Sequence, residues 1–214
     1  MYMKITKLGH CCLLLEENGV KIMTDPGSFT IEVQEQVTEL DAILITHEHQ
    51  DHFHADSVKV LHAKNPNATV ITNAAVGKLL KELNIPHTQV GDGESTEVKG
   101  TIIEGYGKDH APIYSAMGLV ENTGYMIGNT FYFPGDNFHA PGKPVDVLAL
   151  PVAGPWMKMS EAIDFAKIVK PRIAFGVHDA MIQPFFRGFV GSALKMFVPE
   201  AEYVSLQDGE SKEF

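Results

Sequence analysis

Residues 42–52 read Ala42-Ile43-Leu44-Ile45-Thr46-His47-Glu48-His49-Gln50-Asp51-His52. Ala42 to Thr46 is an unbroken apolar run of the kind that fills a strand buried on both faces. It stops at three imidazoles and a carboxylate in the pattern H-x-H-x-D-H. Neutral imidazole and carboxylate suit Zn2+, Mn2+ or Fe, and alternate residues of an extended turn present their side chains to one side. His47 and His49 can therefore share one metal while Asp51 and His52 face a neighbouring one. A strand that delivers polar groups at its carboxyl end is also the usual geometry of an α/β site, so this stretch predicts the sheet and the site together.

On the amino-terminal side, residues 3–8, 11–16 and 20–24 are short β-leaning runs, the last two joined by Glu17-Asn18-Gly19, a hairpin signal. Residues 31–40 are polar with some helical character. Beyond His54, residues 56–63 and 74–83 have helical spacing and flank a strand at 69–72. A second meander follows, with strands expected at 96–98, 101–106, 117–121, 124–127 and 130–133, punctuated by glycines. Strand, helix and strand then return at 146–150, 160–169 and 172–177, with Ser160 as the expected helix cap and Pro171 ending the helix. The two halves share one plan. Two sheets packed face to face with helices outside, a four-layer αββα sandwich, are expected as one domain over residues 1–214.

A catalytic metal keeps about three protein ligands and an open position, so a loop that offers two per metal needs partners from elsewhere. His110 follows the strand ending at Tyr106, Asp136 follows Phe131 to Phe133, and His178 follows Arg172 to Val177. Each sits at a predicted strand end. A structural zinc site would be closed and rich in cysteine. This chain has only Cys11 and Cys12, whose adjacency puts them on opposite faces of a strand, so both are expected as small buried residues in a reducing compartment.

The ordered set His47, His49, Asp51, His52, His110, Asp136 and His178 resembles the five ligand motifs of the metallo-β-lactamase superfamily, over nearly the whole chain. The resemblance implies that His47, His49 and His110 hold a first metal, that Asp51, His52 and His178 hold a second, and that Asp136 bridges them. It also implies support of the ligand loop by Asp25, in Met23-Thr24-Asp25-Pro26. Gly9-His10 with its following apolar run is similar to the ascorbate-6-phosphate-lactonase-like branch. His10 and His139 are further candidates to support the ligands. His54 reads as a helix start, and His62 and His87 as plain helix and loop positions. Trp156 and the cluster Phe185, Phe186 and Phe189 read first as core and second as pocket wall.

Hydrolysis by a metal-bridging hydroxide is the expected chemistry, with two divalent ions, Zn2+ first and Mn2+ or Fe as substitutes, and with Asp51 orienting the nucleophile or taking its proton. At 214 residues there is no room for the cap of the superfamily's nuclease branch or the extra domain of its thioesterase branch, so a small ester, lactone or phosphoester is expected. A phosphodiesterase or nuclease, and a metal-binding module without turnover, are the rival readings. The superfamily's oxygen-reducing branch resembles H-x-E-x-D-H, where this chain has His49. A net charge of -10, from 17 Lys and Arg against 27 Asp and Glu, disfavours stable nucleic-acid binding. Bound cations would make the site itself hospitable to a small, even anionic, substrate. The amino-terminal apolar run is too short for a signal or a membrane span, so a cytoplasmic location without membrane contact is expected. A homo-oligomer is compatible with all of this.

Overall fold

A computed structural model describes residues 3–214. The chain opens as an antiparallel meander of β1 (Lys4–Gly9), β2 (Cys12–Glu17) and β3 (Val20–Thr24). Asn18 and Gly19 both take positive φ, 53° and 78°, as a two-residue hairpin turn demands. After the short α1 (Ile31–Gln34), the strands β4 (Ala42–Ile45), β5 (Thr69–Thr72) and β6 (His87–Gln89) are added in parallel through α2 (Ala55–Lys64) and α3 (Ala74–Glu82).

The second half repeats the plan. Strands β7 (Ser95–Val98), β8 (Thr101–Tyr106), β9 (Gly124–Ile127) and β10 (Phe131–Phe133) pair antiparallel. Then β11 (Val147–Pro151), α4 (Met159–Val169), β12 (Ile173–Val177), α5 (Pro184–Phe197) and β13 (Glu202–Tyr203) continue with parallel strands. The last strand, β14 (Ser211–Glu213), crosses back to pair with β1. The sheet orders are β14-β1-β2-β3-β4-β5-β6 and β13-β12-β11-β10-β9-β8-β7.

Three apolar layers hold this αββα sandwich together. Between the sheets lie Ile5, Leu13, Leu44, Phe131, Phe133 and Phe175. Outside the first sheet, Ile43 and Ile45 meet Val58 and Leu61 of α2 and Val76 and Leu80 of α3. Outside the second, Leu148 and Leu150 meet Phe165 of α4 and Val190 and Leu194 of α5. The continuous apolar run of β4 is thereby explained: Ala42 and Leu44 face the other sheet while Ile43 and Ile45 face helices. Cys11 and Cys12 divide in the same way, one into each layer, and both are free thiols. Among the described residues no helix is long and apolar enough to cross a membrane.

Several local expectations are corrected. Residues 117–121 form no strand: a single 3-10 turn at Ser115–Met117 leads into an exposed loop, and one isolated bridge, Asp109 to Glu121, is all that pairs there. Gly118, at φ 75°, turns the chain away from the sheet. The helix expected over 31–40 is one turn long, and Glu39, at φ 62°, lies in a left-handed bend before β4. His87 belongs to edge strand β6 rather than a loop. Ser160 lies inside the first turn of α4, whose entry is instead fixed by Glu161, which accepts the Lys158 N–H at 2.6 Å. Phe185 and Phe189 are exposed on α5, and only Phe186 packs inward.

The topology also gathers the chemistry. β1 and β3 are both antiparallel to β2, so they run together with β4, and β8 runs with β10 and β12 by the same reasoning. The carboxyl ends of these six strands carry His10, Asp25, the 46–52 loop, His110, Asp136 and His178, and all open on one edge of the sandwich. Gly27 lets the ligand loop close on the β3 end, since a Cβ there would lie 1.9 Å from the Asp51 carbonyl.

Candidate metal centre

The H-x-H-x-D-H loop leaves β4 in a tight turn: the N–H groups of His52 and Phe53 both donate to the His49 carbonyl. This splits the loop's side chains into two groups. His47 and His49 meet His110, with ring centroids 4.7–4.9 Å apart. Asp51 and His52 meet His178 and His10. Within each group the possible ligand atoms lie within 4.8 Å of one another. Asp136 stands between them: its Oδ2 is 3.3 Å from His110 Nε2 and 2.9 Å from His178 Nε2, and its Oδ1 is 3.3 Å from His52 Nε2. All seven residues proposed from the sequence as ligands therefore converge, with His47, His49 and His110 in one group, Asp51, His52 and His178 in another that His10 joins, and Asp136 beside both.

The outer nitrogens show which atoms face inward. His52 Nδ1 donates to Asp25 Oδ2 at 2.6 Å, and His110 Nδ1 donates to the Ala111 carbonyl. Thr46 Oγ1 donates to Asp25 Oδ2 at 2.8 Å and so accepts from His47 Nδ1 at 3.0 Å. Asp25, fully buried, is thus the anchor beneath the loop, as expected, and also accepts the Thr46 N–H at 2.8 Å. These bonds leave Nε2 of His47, His52 and His110 directed at the centre, where His47 Nε2 lies 3.1 Å from His49 Nδ1. Asp136 is aimed by Asn122, whose Oδ1 accepts the Asp136 N–H at 3.0 Å.

Five buried atoms of the ligand candidates have no hydrogen-bond partner: His52 Nε2, His110 Nε2, Asp136 Oδ1 and both nitrogens of His178. His52, His110 and His178 Nε2 approach the Asp136 carboxylate oxygens to about 3 Å without meeting hydrogen-bond geometry. Leaving so many polar atoms orphaned costs on the order of 1–3 kcal/mol each, a cost that divalent cations would remove. Five imidazoles and two carboxylates at these spacings fit such ions, and the residues present suit Zn2+, Mn2+ or Fe.

The protons of the centre tell the same story. Burial and the neighbouring His52 depress His47 well below the usual imidazole range, and burial with His110 lowers His49. Burial also opposes charge on His52, but the Asp136 and Asp25 carboxylates outweigh it and raise His52 well above that range. His178 is raised in the same way to about 9, chiefly by Asp136 against the cost of burial. Burial would raise the Asp136 carboxyl, yet His52 and His178 hold it well below the ordinary value. The carboxylates thus favour positive charge at His52 and His178, a charge that a bound cation would supply instead.

The remaining expectations divide. His10 is buried, with its Nε2 3.2 Å from Asp51 Oδ2, so it joins the site. His139 does not: it is exposed, packs on Gly107, and belongs to neither group. Trp156, read first as core, is buried but stands edge-on to both His110 and His178 at 5.9 Å, a wall shared by the two groups. His54 caps α2, with Nδ1 accepting the Ser57 N–H. Thr46 and Asn122 were not singled out by sequence reasoning, since a lone Thr or Asn beside a strand carries no local signal of its partner. His49 and Asp51 are the ligand candidates only partly buried, so the centre opens on their side.

A family model described as a beta-lactamase superfamily domain matches residues 4–178, from β1 to the last ligand candidate. The Mycobacterium tuberculosis protein Rv0786c is 36% identical over 191 residues, covering 87% of this chain and 88% of that protein. A UPF0173 metal-dependent hydrolase of Carboxydothermus hydrogenoformans is 30% identical over 193 residues, covering 82% and 84%. Among solved structures, Igni18, a metallo hydrolase of the archaeon Ignicoccus hospitalis, superposes with a TM-score of 0.80 at 20% identity, covering 100% of this chain and 99% of that one. Sequence, fold and the converging His and Asp side chains agree: the chain belongs to the metallo-β-lactamase superfamily of metal-dependent hydrolases.

Proposed function

We propose that this protein holds two divalent cations and hydrolyses a small ester or lactone. The observation that carries the reading is the pair of ligand groups on either side of Asp136, with buried unpartnered nitrogens directed at each. His47 Nε2, His49 Nδ1 and His110 Nε2 would hold one ion, Asp51, His52 Nε2 and His178 Nε2 the other, and the Asp136 carboxylate both. Two such ions supply an ionised water at neutral pH and polarise the oxygen of the scissile group.

The chain's own residues do the rest. Asp51 is partly exposed and held well below the ordinary carboxylate value, because the hydrogen bond from His10 and the nearby His178 and His52 imidazoles outweigh the effect of burial. It therefore stays ionised at the mouth of the site, where its carboxylate would serve as a ligand and orient the nucleophile by accepting its O–H rather than store its proton. Trp156, buried and edge-on to His110 and His178, walls the site beside both.

The lip supports a neutral, partly apolar substrate over a phosphoester. Beside His49 and His110 it is built from Ile113, Met117, Leu119 and Val120. Arg187 is engaged by Asp179 at 3.1 Å and Asp208 at 3.3 Å, and Lys108 and Lys158 are exposed. A panel of lactone, ester, β-lactam and bis-aryl phosphate substrates, each assayed with Zn2+ or Mn2+, tests the reading. Metal-dependent turnover of an ester or lactone is expected, and Asp51→Ala should lower it by ~10²–10⁴-fold with the fold retained. Preference for the phosphate would favour the phosphodiesterase alternative, and no turnover on any substrate would favour a binding module.

A further inference from the structure

His10 occupies the corner between β1 and β2 in a left-handed conformation, φ 51°, which a non-glycine residue keeps only where its surroundings impose it. The Ala180 N–H donates to its Nδ1 at 3.4 Å, which places the ring proton on Nε2. Nε2 then donates to Asp51 Oδ2 at 3.2 Å. The His10 carbonyl meanwhile accepts the His178 N–H at 3.3 Å, and the two rings lie 4.2 Å apart. Phe29 stands edge-on to the His10 ring at 4.9 Å. One side chain and its own backbone thus touch Asp51, from the first sheet, and His178, from the second.

The same strand end is fastened again three residues earlier. Lys7 is fully buried and donates to Asp179 Oδ2 at 2.7 Å and to the Gly176 carbonyl at 2.9 Å, on either side of the His178 turn. The other ligand group is held differently: the outer nitrogens of His47 and His110 bond to Thr46 and Ala111, and β1 takes no part.

Resting on the two-ion reading above, we infer that His10 is a positioning residue for the second ion alone, its Nε2–H fixing the Asp51 carboxylate and its carbonyl fixing the His178 turn. Although its ring lies within reach of a shared cation, a nitrogen that carries the proton offers no lone pair, and the other nitrogen is engaged by Ala180. His10 therefore holds ligands without being one.

The test is metal stoichiometry and affinity in the full chain, wild type against His10→Ala and His10→Gln. Each protein is loaded with Zn2+ and desalted, its metal is counted by elemental analysis, and it is titrated against a competing chelator. Wild type should retain two ions. His10→Ala should weaken the more labile ion by ~10–100-fold, the usual loss when a ligand's hydrogen-bond partner is removed, and leave the tighter one within ~3-fold. His10→Gln, which keeps a donor at the same reach, should recover most of the loss and remains informative if the alanine variant does not fold. Two ions of unchanged affinity in His10→Ala would overturn the inference. Loss of the ion in both variants alike would assign His10 as a ligand and overturn it too. Fewer than two ions in wild type would instead overturn the two-ion reading on which it rests.

Discussion

Asp25 shows most clearly how one residue can organise a centre it does not enter. It sits at the end of β3 at φ 36° and accepts from the Thr46 N–H, from Thr46 Oγ1 and from His52 Nδ1. Burial raises its carboxyl above the ordinary value, against the pull of His52, so its charge is retained for those donors at a real cost. Asp25→Asn keeps the shape but puts a donor amide where two donors already point. It should lower the affinity for metal by ~10–100-fold, read by chelator competition, and lower unfolding stability by ~1–3 kcal/mol, read by denaturant titration. In the sequence, Thr24-Asp25-Pro26 looks like any turn, and its role was legible only through the family resemblance. His139 illustrates the opposite outcome: three residues past Asp136 it lies close in sequence, but its ring packs on Gly107 outside the site.

The helices repeat the lesson at the scale of elements. α4 reads plainly as an amphipathic helix, and its Phe165 is buried against the second sheet. α5 carries Phe185, Phe186 and Phe189, yet its fully buried face is Val190, Gly191, Ala193 and Leu194. Pro184 at the first helical position marks its start, a signal that the density of phenylalanine obscured. Phe165→Ala should cost ~3–5 kcal/mol, whereas Phe185→Ser should stay within ~0.5 kcal/mol, both measured by urea denaturation. A large loss from Phe185→Ser would mean that this face of α5 is covered in solution. The strands of the site were easier to read, because β4, β8 and β12 are period-two or continuous apolar runs of four to six residues, shorter than a helix ordinarily runs.

Across the whole molecule, two devices join the sheets at the site. One is the buried network in which Lys7 of the first sheet meets Asp179 beside the second, where Arg187 also binds. Lys7→Met leaves Asp179 with a single cation and should destabilise the fold by ~3–5 kcal/mol, and adding Asp179→Leu should return part of that loss. The other would be the bound metal proposed above, shared by ligand candidates of both sheets. Ions held at a hundred times their dissociation constant stabilise the folded chain by ~2.7 kcal/mol per site, so chelation should lower Tm by roughly 5–10 °C per site lost, and Zn2+ or Mn2+ should restore it. A Tm indifferent to chelator would count against resident metal.

What the sequence determined by itself was most of the strands and helices as far as β12, the αββα plan and the identity of the seven ligand candidates, since these rest on backbone periodicity and on residues placed at strand ends. Tertiary structure alone decided which nitrogen of each imidazole faces inward, that Trp156 borders both ligand groups, and that His10 reaches Asp51 and Lys7 reaches Asp179, across 41 and 172 residues of sequence. The physical reason is that periodicity reports only which face of an element is buried. What a buried polar atom meets there depends on how two sheets close on each other, and no local pattern encodes that distance.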